Sequence, residues 1–102
     1  MRLLRISATL ERTGETRSPL YERISSGLFT RPVKCGGRRA AGWPEHEVQA
    51  IMTARVAGAP DGEIRRLVER LHDERQREYL QTLDRHMAQT PANAAATGRK
   101  LA

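Results

Sequence analysis

The sequence predicts a mainly α-helical protein that contains one short β-hairpin. Apolar residues make up 38% of the 102 residues and aromatic residues only 4%, which favours helices packed around a few Leu, Ile and Val side chains. Residues 7–26 carry apolar positions at helical spacing on either side of a glycine. A basic stretch centred on Gly36-Gly37 then has the turn residues of a hairpin.

Two short helices are predicted near the start of the chain. The first runs from Ser7 to Thr13, because serine is a favourable N-cap and Gly14 suits the left-handed conformation that ends helices. The second runs from Arg17 to about Ser26, with a proline inside its first turn, where a missing N–H costs nothing. Two helices joined by such a tight turn are typical of a helix-turn-helix.

The second helix is predicted to have one buried and one exposed face. Leu20, Ile24 and Leu28 recur at intervals of four residues and should pack inward. The opposite, polar face consists of Arg17, Ser18, Tyr21, Glu22 and Ser25. Hydrogen-bonding side chains at the outward N-terminal end of such a helix indicate recognition of a DNA major groove.

A basic hairpin is predicted directly after the second helix. β-Prone residues precede Gly36-Gly37, and Trp43 ends the other side. Four cations surround the tip: Arg31, Lys34, Arg38 and Arg39. Behind a helix-turn-helix, this hairpin is a wing that lies along the phosphate backbone or enters a minor groove. A glycine-rich nucleotide loop is disfavoured, because the sequence contains neither G-x-x-x-x-G-K-S/T nor G-x-G-x-x-G.

The positive charge is concentrated in this predicted winged unit. The chain has a net charge of +6; residues 1–43 contain nine Arg or Lys and three Glu, whereas residues 44–102 contain nine of each sign. Charge confined to one small module indicates a polyanion-binding face, and double-stranded DNA is the predicted partner. A membrane surface is disfavoured, since no basic amphipathic helix with aromatic anchors is present.

A series of short motifs runs through residues 2–58. It comprises Leu3-Leu4-Arg5-Ile6, Arg12-Thr13-Gly14, Arg17-Ser18, Leu20-Tyr21, Gly27-Leu28-Phe29, Pro32-Val33-Lys34, Gly37-Arg38, Gly42-Trp43 and Glu47-Val48. In this order the motifs resemble the AlpA family of prophage regulatory proteins. The resemblance implies a winged helix-turn-helix DNA-binding domain, related to excisionase and MerR-type folds, that regulates transcription in a prophage or genomic island.

The resemblance also assigns roles to individual residues. It puts the recognition positions on Arg17, Ser18 and Tyr21, and the wing positions on Lys34, Arg38 and Arg39. The chain departs from the family pattern at Pro19, where a threonine or similar residue is usual, and at Glu22, where a basic residue is common. We expect Glu22 to face away and pair with Arg23 or another neighbour rather than read a cytosine amino group.

Two further helices are predicted after Trp43. One begins at Pro44, which suits a first helical position, and should close the core through Val48, Ile51 and Met52. The other spans about residues 61–87 and carries an inward stripe of Ile64, Leu67, Val68 and Leu71. At about 1.5 Å per residue it would be roughly 40 Å long, so its second half should project or meet a partner.

The chain is therefore predicted to have three parts. Residues 1–58 form the winged helix-turn-helix DNA-binding domain, residues 59–89 a C-terminal helix that docks and is a candidate for dimerisation, and residues 90–102 a disordered tail. A homodimer, or copies side by side on DNA, would suit paired half-sites. The alternative is a solvated helix held by i, i+4 pairs, and the interrupted apolar repeat disfavours a regular coiled coil.

The sequence does not indicate an enzyme. Its Ser, Cys and His residues are scattered without a base-to-nucleophile arrangement, and the single Cys35 is interpreted as a small residue on a strand. No cofactor, metal or small-molecule ligand is expected. We expect a cytoplasmic protein, because no signal peptide and no apolar run long enough to span a membrane is present.

Three alternative functions remain open at this level. An excisionase-like architectural factor would use the same contacts to bend an attachment site. A protein-interaction module would act through the C-terminal helix, with the basic face incidental. An RNA-binding module is disfavoured, because Phe29 and Trp43 are interpreted as core residues and leave no exposed aromatic platform.

Overall fold

The computed structural model describes residues 2–37 and 40–89. Over these residues the elements follow in the order β1 (Leu3–Arg5), α1 (Ile6–Thr13), α2 (Arg17–Ser25), β2 (Val33–Lys34), β3 (Ala41–Pro44), α3 (Glu45–Val56) and α4 (Asp61–Gln89). The predicted fold class is confirmed: the chain is a winged helix-turn-helix followed by a long C-terminal helix.

The helix-turn-helix is formed by α1 and α2. Gly14 ends α1 in the left-handed conformation, with φ of 70°, and donates its N–H to the carbonyl of Leu10 at 2.8 Å. Pro19 is the third residue of α2, where a backbone N–H has no helical acceptor. The prediction that Ser7 caps α1 is wrong, because β1 leads directly into the helix and Arg5 takes the N-cap position without a side-chain hydrogen bond.

The wing belongs to a three-stranded antiparallel sheet in the order β1-β3-β2. The hairpin between β2 and β3 turns at Gly36 and Gly37, whose φ angles of 98° and 42° favour glycine, so the predicted turn is confirmed. Cys35 donates its backbone N–H to the carbonyl of Ala40 at 3.0 Å and closes the loop. Strand β1, which the sequence did not reveal, covers the other edge of β3.

The core lies between the sheet and the helices. Its buried apolar side chains are Leu4, Leu20, Phe29, Trp43, Val48, Ile51, Ile64, Val68 and Leu71. Trp43 is fully buried, and its indole N–H donates to the carbonyl of Thr30 at 2.9 Å. Pro44, expected at the first position of α3, instead ends β3 and takes the N-cap position.

Two compact units divide the chain after His72. The first therefore includes the buried stripe of α4 as well as the winged helix-turn-helix. The described part of the second is helical, and its large apolar side chains are exposed. The predicted disordered tail, residues 90–102, lies outside the described residues. Among the helices that the structure describes, none has the length and apolar character needed to cross a membrane.

Candidate nucleic-acid interface

Helix α2 separates a buried face from an exposed polar face. Leu20 is completely buried in the core, and Ile24 packs against the same cluster. On the other side, Ser18 and Tyr21 are exposed. Arg17 is exposed as well, but it is the first residue of α2 and precedes Leu20 by three positions and Ile24 by seven, so it does not belong to the opposite face as predicted. The structure thus presents the three expected recognition residues to solvent on the N-terminal half of one helix.

Tyr21 also contacts the core of the wing. Its ring stands edge-on to the indole of Trp43, with centroids 6.3 Å apart and an angle of 67° between the planes. Such edge-to-face geometry is a favourable arrangement for aromatic rings. About two-fifths of Tyr21 remains exposed. Tyr21 therefore joins α2 to β3 in addition to facing solvent, a role that sequence reasoning missed.

Lys34 lies on the sheet face that Tyr21 contacts. Its cross-strand partner is Ala41, and Trp43 follows two residues later on the same strand. Because side chains alternate along a strand, Lys34 and Trp43 point to the same face of the sheet. Lys34 is exposed. Arg38 and Arg39, the other expected wing residues, lie outside the described residues.

Gly42 allows the strands of the wing to approach each other. A Cβ atom at this position would overlap the Sγ of Cys35 and come within 3.1 Å of the carbonyl oxygen of Leu4. The half-buried Cys35 follows β2, and its thiol lies 3.8 Å from the carbonyl of Val33. The sulfur therefore fills the space above Gly42 as part of the packing of the hairpin.

Arg31 lies at the other end of α2 from Arg17. Its backbone N–H donates to Nε2 of His72 on α4 at 3.1 Å. The Arg31 side chain is exposed and borders a cavity of about 240 Å³ together with Ser25, the last residue of α2. Arg31 therefore lies near the C-terminal end of α2, whereas Arg17 and Ser18 lie at its N-terminal end.

Glu22 is exposed on α2 and does not form the expected ion pair with Arg23. The guanidinium of Arg23 instead meets the carboxylate of Glu15, with Nε and Oε2 2.5 Å apart. Adjacent residues of a helix point in different directions, which explains why Arg23 turns toward the inter-helix turn while Glu22 does not. Glu22 has no ion-pair partner within residues 2–37 and 40–89.

Glu15 connects the helix-turn-helix to α3. Its other carboxylate oxygen accepts from Arg55 at 3.4 Å, and both side chains are more than four-fifths buried. The Arg55 guanidinium also lies over the ring of Phe29, 5.8 Å from its centroid. Burial lowers the pKa of Arg55, as does the nearby cation of Arg23, while Glu15 opposes both effects. Glu15 thus compensates a buried cation 40 residues away.

Within the part of the chain that the structure describes, no group of three His, Cys, Asp or Glu side chains is arranged to hold a metal ion.

The family model described as the prophage CP4-57 regulatory protein (AlpA) matches residues 2–56, which include every element from β1 to α3. The chain belongs to the AlpA family. AlpA is a family of phage regulatory proteins, and family membership agrees with the resemblance carried by the motifs from Leu3-Leu4 to Glu47-Val48.

A second comparison adds one relative of this AlpA-family chain. An uncharacterised protein of Enterobacteria phage P4, ORF88, is 39% identical over 61 residues, which cover 60% of this chain and 68% of that protein. No solved structure matches the chain.

Proposed function

We propose that this AlpA-family protein is a sequence-specific DNA-binding regulator of transcription in a prophage or genomic island. The observation that carries the proposal is the two-sided character of α2. Leu20 anchors one face in the core, Ser18 and Tyr21 face solvent on the other, and Arg17 is exposed at the first residue of the helix. A helix held in this way can enter a major groove without exposing apolar core.

In the proposed complex, α2 lies in the major groove. Arg17 and Ser18 donate hydrogen bonds to base edges or to the flanking phosphates, and the Tyr21 hydroxyl donates to a phosphate. Arginine is suited to this position, because its planar guanidinium can contact two acceptors of a guanine at once. The exposed positions on α2 thus supply both the sequence reading and part of the positioning.

The wing supplies sequence-independent affinity. Lys34 is exposed on the sheet face that Tyr21 contacts, which supports its approach to the same duplex. Arg38 and Arg39 extend the basic character of the hairpin loop in the sequence. We propose that these cations lie along the phosphate backbone or in the adjacent minor groove, and that Arg31 contributes a peripheral phosphate contact.

Regulation follows from occupancy of a promoter. Two copies on paired half-sites would increase affinity and would fix the spacing of the operator. The proposal places the protein in the cytoplasm, where the DNA is, and requires no cofactor and no catalytic step.

Direct binding tests the proposal. The purified chain is titrated, at physiological salt, against the DNA upstream of its own gene, the nearest phage attachment site and a scrambled duplex. We expect one natural duplex to bind at least about 100-fold more tightly than the scrambled one, as specific sites do. Preference for the attachment site would favour an excisionase-like architectural role over promoter control.

Two variants locate the contact. Arg17→Ala should remove most of the preference for the natural duplex, whereas Arg66→Ala, which removes the same charge from an exposed position on α4, should not. Equal, weak and salt-sensitive binding to all three duplexes would overturn sequence-specific recognition and leave only an electrostatic affinity.

A further inference from the structure

The second half of α4 carries an exposed apolar stripe. Tyr79, Leu80, Leu83 and Met87 are 60%, 54%, 41% and 64% exposed, respectively. Spacings of three and four residues put Leu80, Leu83 and Met87 on one side of the helix, with Tyr79 at its edge. A contiguous stripe of this kind on a helix is usually covered by another apolar surface.

Two opposite charges lie along the other edge of this stripe. Arg77 and Asp84 are seven residues apart, so both lie on the same edge of the stripe, across Leu80 and Leu83 from Tyr79. When two copies of a helix pack antiparallel, this edge of one copy meets the same edge of the other. In a parallel pair it would instead meet the edge that carries Tyr79.

We propose that the stripe Tyr79, Leu80, Leu83 and Met87 packs against the same stripe of a second copy of this chain, with the two helices antiparallel. Leu80 of each copy then meets Leu83 of the other. Arg77 of each copy meets Asp84 of the other, which gives two complementary ion pairs. Charge complementarity between Arg77 and Asp84 therefore supports a second copy of this chain as the partner and an antiparallel arrangement of the two helices.

The interface is short. Polar residues, among them Gln76 and Asp73, continue the line of the stripe toward the N-terminus of α4, so the apolar contact ends after about two helical turns. The structure therefore favours a local helix pair over an extended coiled coil, and we expect association to depend on protein concentration. Delivery of two DNA-binding units to paired half-sites rests on the proposed function, but the pairing itself does not require DNA.

Sedimentation equilibrium of the full chain without DNA tests the pairing. We expect a monomer–dimer equilibrium whose dissociation constant rises at least about tenfold in Leu80→Glu, since a carboxylate would enter the apolar contact. Gln81→Glu, which introduces the same group on an exposed neighbouring position away from the stripe, is the matched control and should leave the constant unchanged. Circular dichroism of each variant verifies that the helix content is retained.

Charge exchange tests the orientation. Arg77→Asp puts two acids opposite each other and Asp84→Arg puts two arginines opposite each other, so each variant alone should dimerise at least several-fold more weakly. An equimolar mixture of the two should form heterodimers, because both cross-pairs become complementary. The chain that carries both exchanges should recover its own dimer.

Three outcomes would overturn the pairing or its orientation: a chain that stays monomeric at all concentrations, an unchanged dimer in Leu80→Glu, or no gain on mixing the two charge variants. Failure of DNA recognition with the dimer intact would remove the proposed function and leave the pairing in place. Intact DNA recognition without a dimer would overturn the pairing and leave the proposed function in place.

Discussion

The ring of Tyr21 packs edge-on against the indole of Trp43, with ring centroids 6.3 Å apart. Trp43 is in turn held by its hydrogen bond to the carbonyl of Thr30 and by an edge contact with Phe29. The proposed reading face of α2 is therefore joined to the strand of the wing through one partly exposed aromatic side chain. Tyr21 is therefore expected to contribute both to the stability of the fold and to the proposed DNA binding.

Substitutions of Tyr21 should separate these two contributions. Tyr21→Phe keeps the ring contact and removes only the hydroxyl, so the free energy of unfolding should change by less than about 0.5 kcal/mol while DNA affinity falls several-fold. Tyr21→Ala also removes the edge contact, and we expect a loss of about 1–2 kcal/mol in urea unfolding. Unchanged DNA affinity in Tyr21→Phe would exclude a contact through the hydroxyl.

Glu15→Gln should destabilise the fold, because it leaves the cation of Arg55 without its carboxylate in a mostly buried position. We expect a loss of about 2 kcal/mol in the free energy of unfolding. Most of this comes from Arg55, since the Arg23 side chain is 40% exposed and water screens its pair. Glu22→Gln is the matched control and should leave the urea midpoint unchanged. Equal effects of the two substitutions would exclude the inferred role of Glu15.

Thr30→Val should stabilise the protein. The Thr30 hydroxyl is completely buried and has no hydrogen-bond partner within the described residues. A buried hydroxyl without a partner costs free energy, so its replacement by a methyl group should raise stability by about 1 kcal/mol and increase Tm. Thr53→Val, at an exposed position of α3, is the control. A lower Tm for Thr30→Val would mean that the hydroxyl is satisfied in solution.

Lys34→Ala should change the salt dependence of DNA binding. If Lys34 neutralises one phosphate, the slope of log affinity against log salt should fall by about 0.9. The preference between natural and scrambled duplexes should stay nearly constant, because a phosphate contact carries no base information. Arg66→Ala on α4 should leave the slope as it is. A lost preference with an unchanged slope would instead assign Lys34 to base reading.

Much of the helix-turn-helix could be predicted from the sequence because its determinants are local. Gly14 ends α1 since it adopts a left-handed conformation at little cost, and Leu20 faces the core since its neighbours at helical spacing are apolar. Gly36 and Gly37 turn the hairpin for the same conformational reason. The exposed position of Ser18 follows from the helical period, whereas Arg17 is in line with Leu20 and Ile24 on that period and is exposed at the first position of the helix.

Contacts between distant parts of the chain could not be predicted in this way. Glu15 and Arg55 are charged residues of types usually found at protein surfaces, and nothing near either one in the sequence indicates that they meet. Only packing of α3 against the helix-turn-helix brings them together. Glu47, an acid in the first turn of α3, is completely buried although Glu is a residue type that is mostly exposed. Helical periodicity does not show which neighbouring element will cover a given polar residue.

The sequence by itself determined where the helices end, which face of α2 is polar, where the hairpin turns and where positive charge is concentrated. Each of these depends on residues a few positions apart. Only the tertiary structure decided that β1 joins the sheet, that Tyr21 packs on Trp43 and that Arg23 pairs with Glu15 rather than Glu22. These contacts depend on the distances between elements. Packing of the common core sets those distances, and local backbone preferences do not.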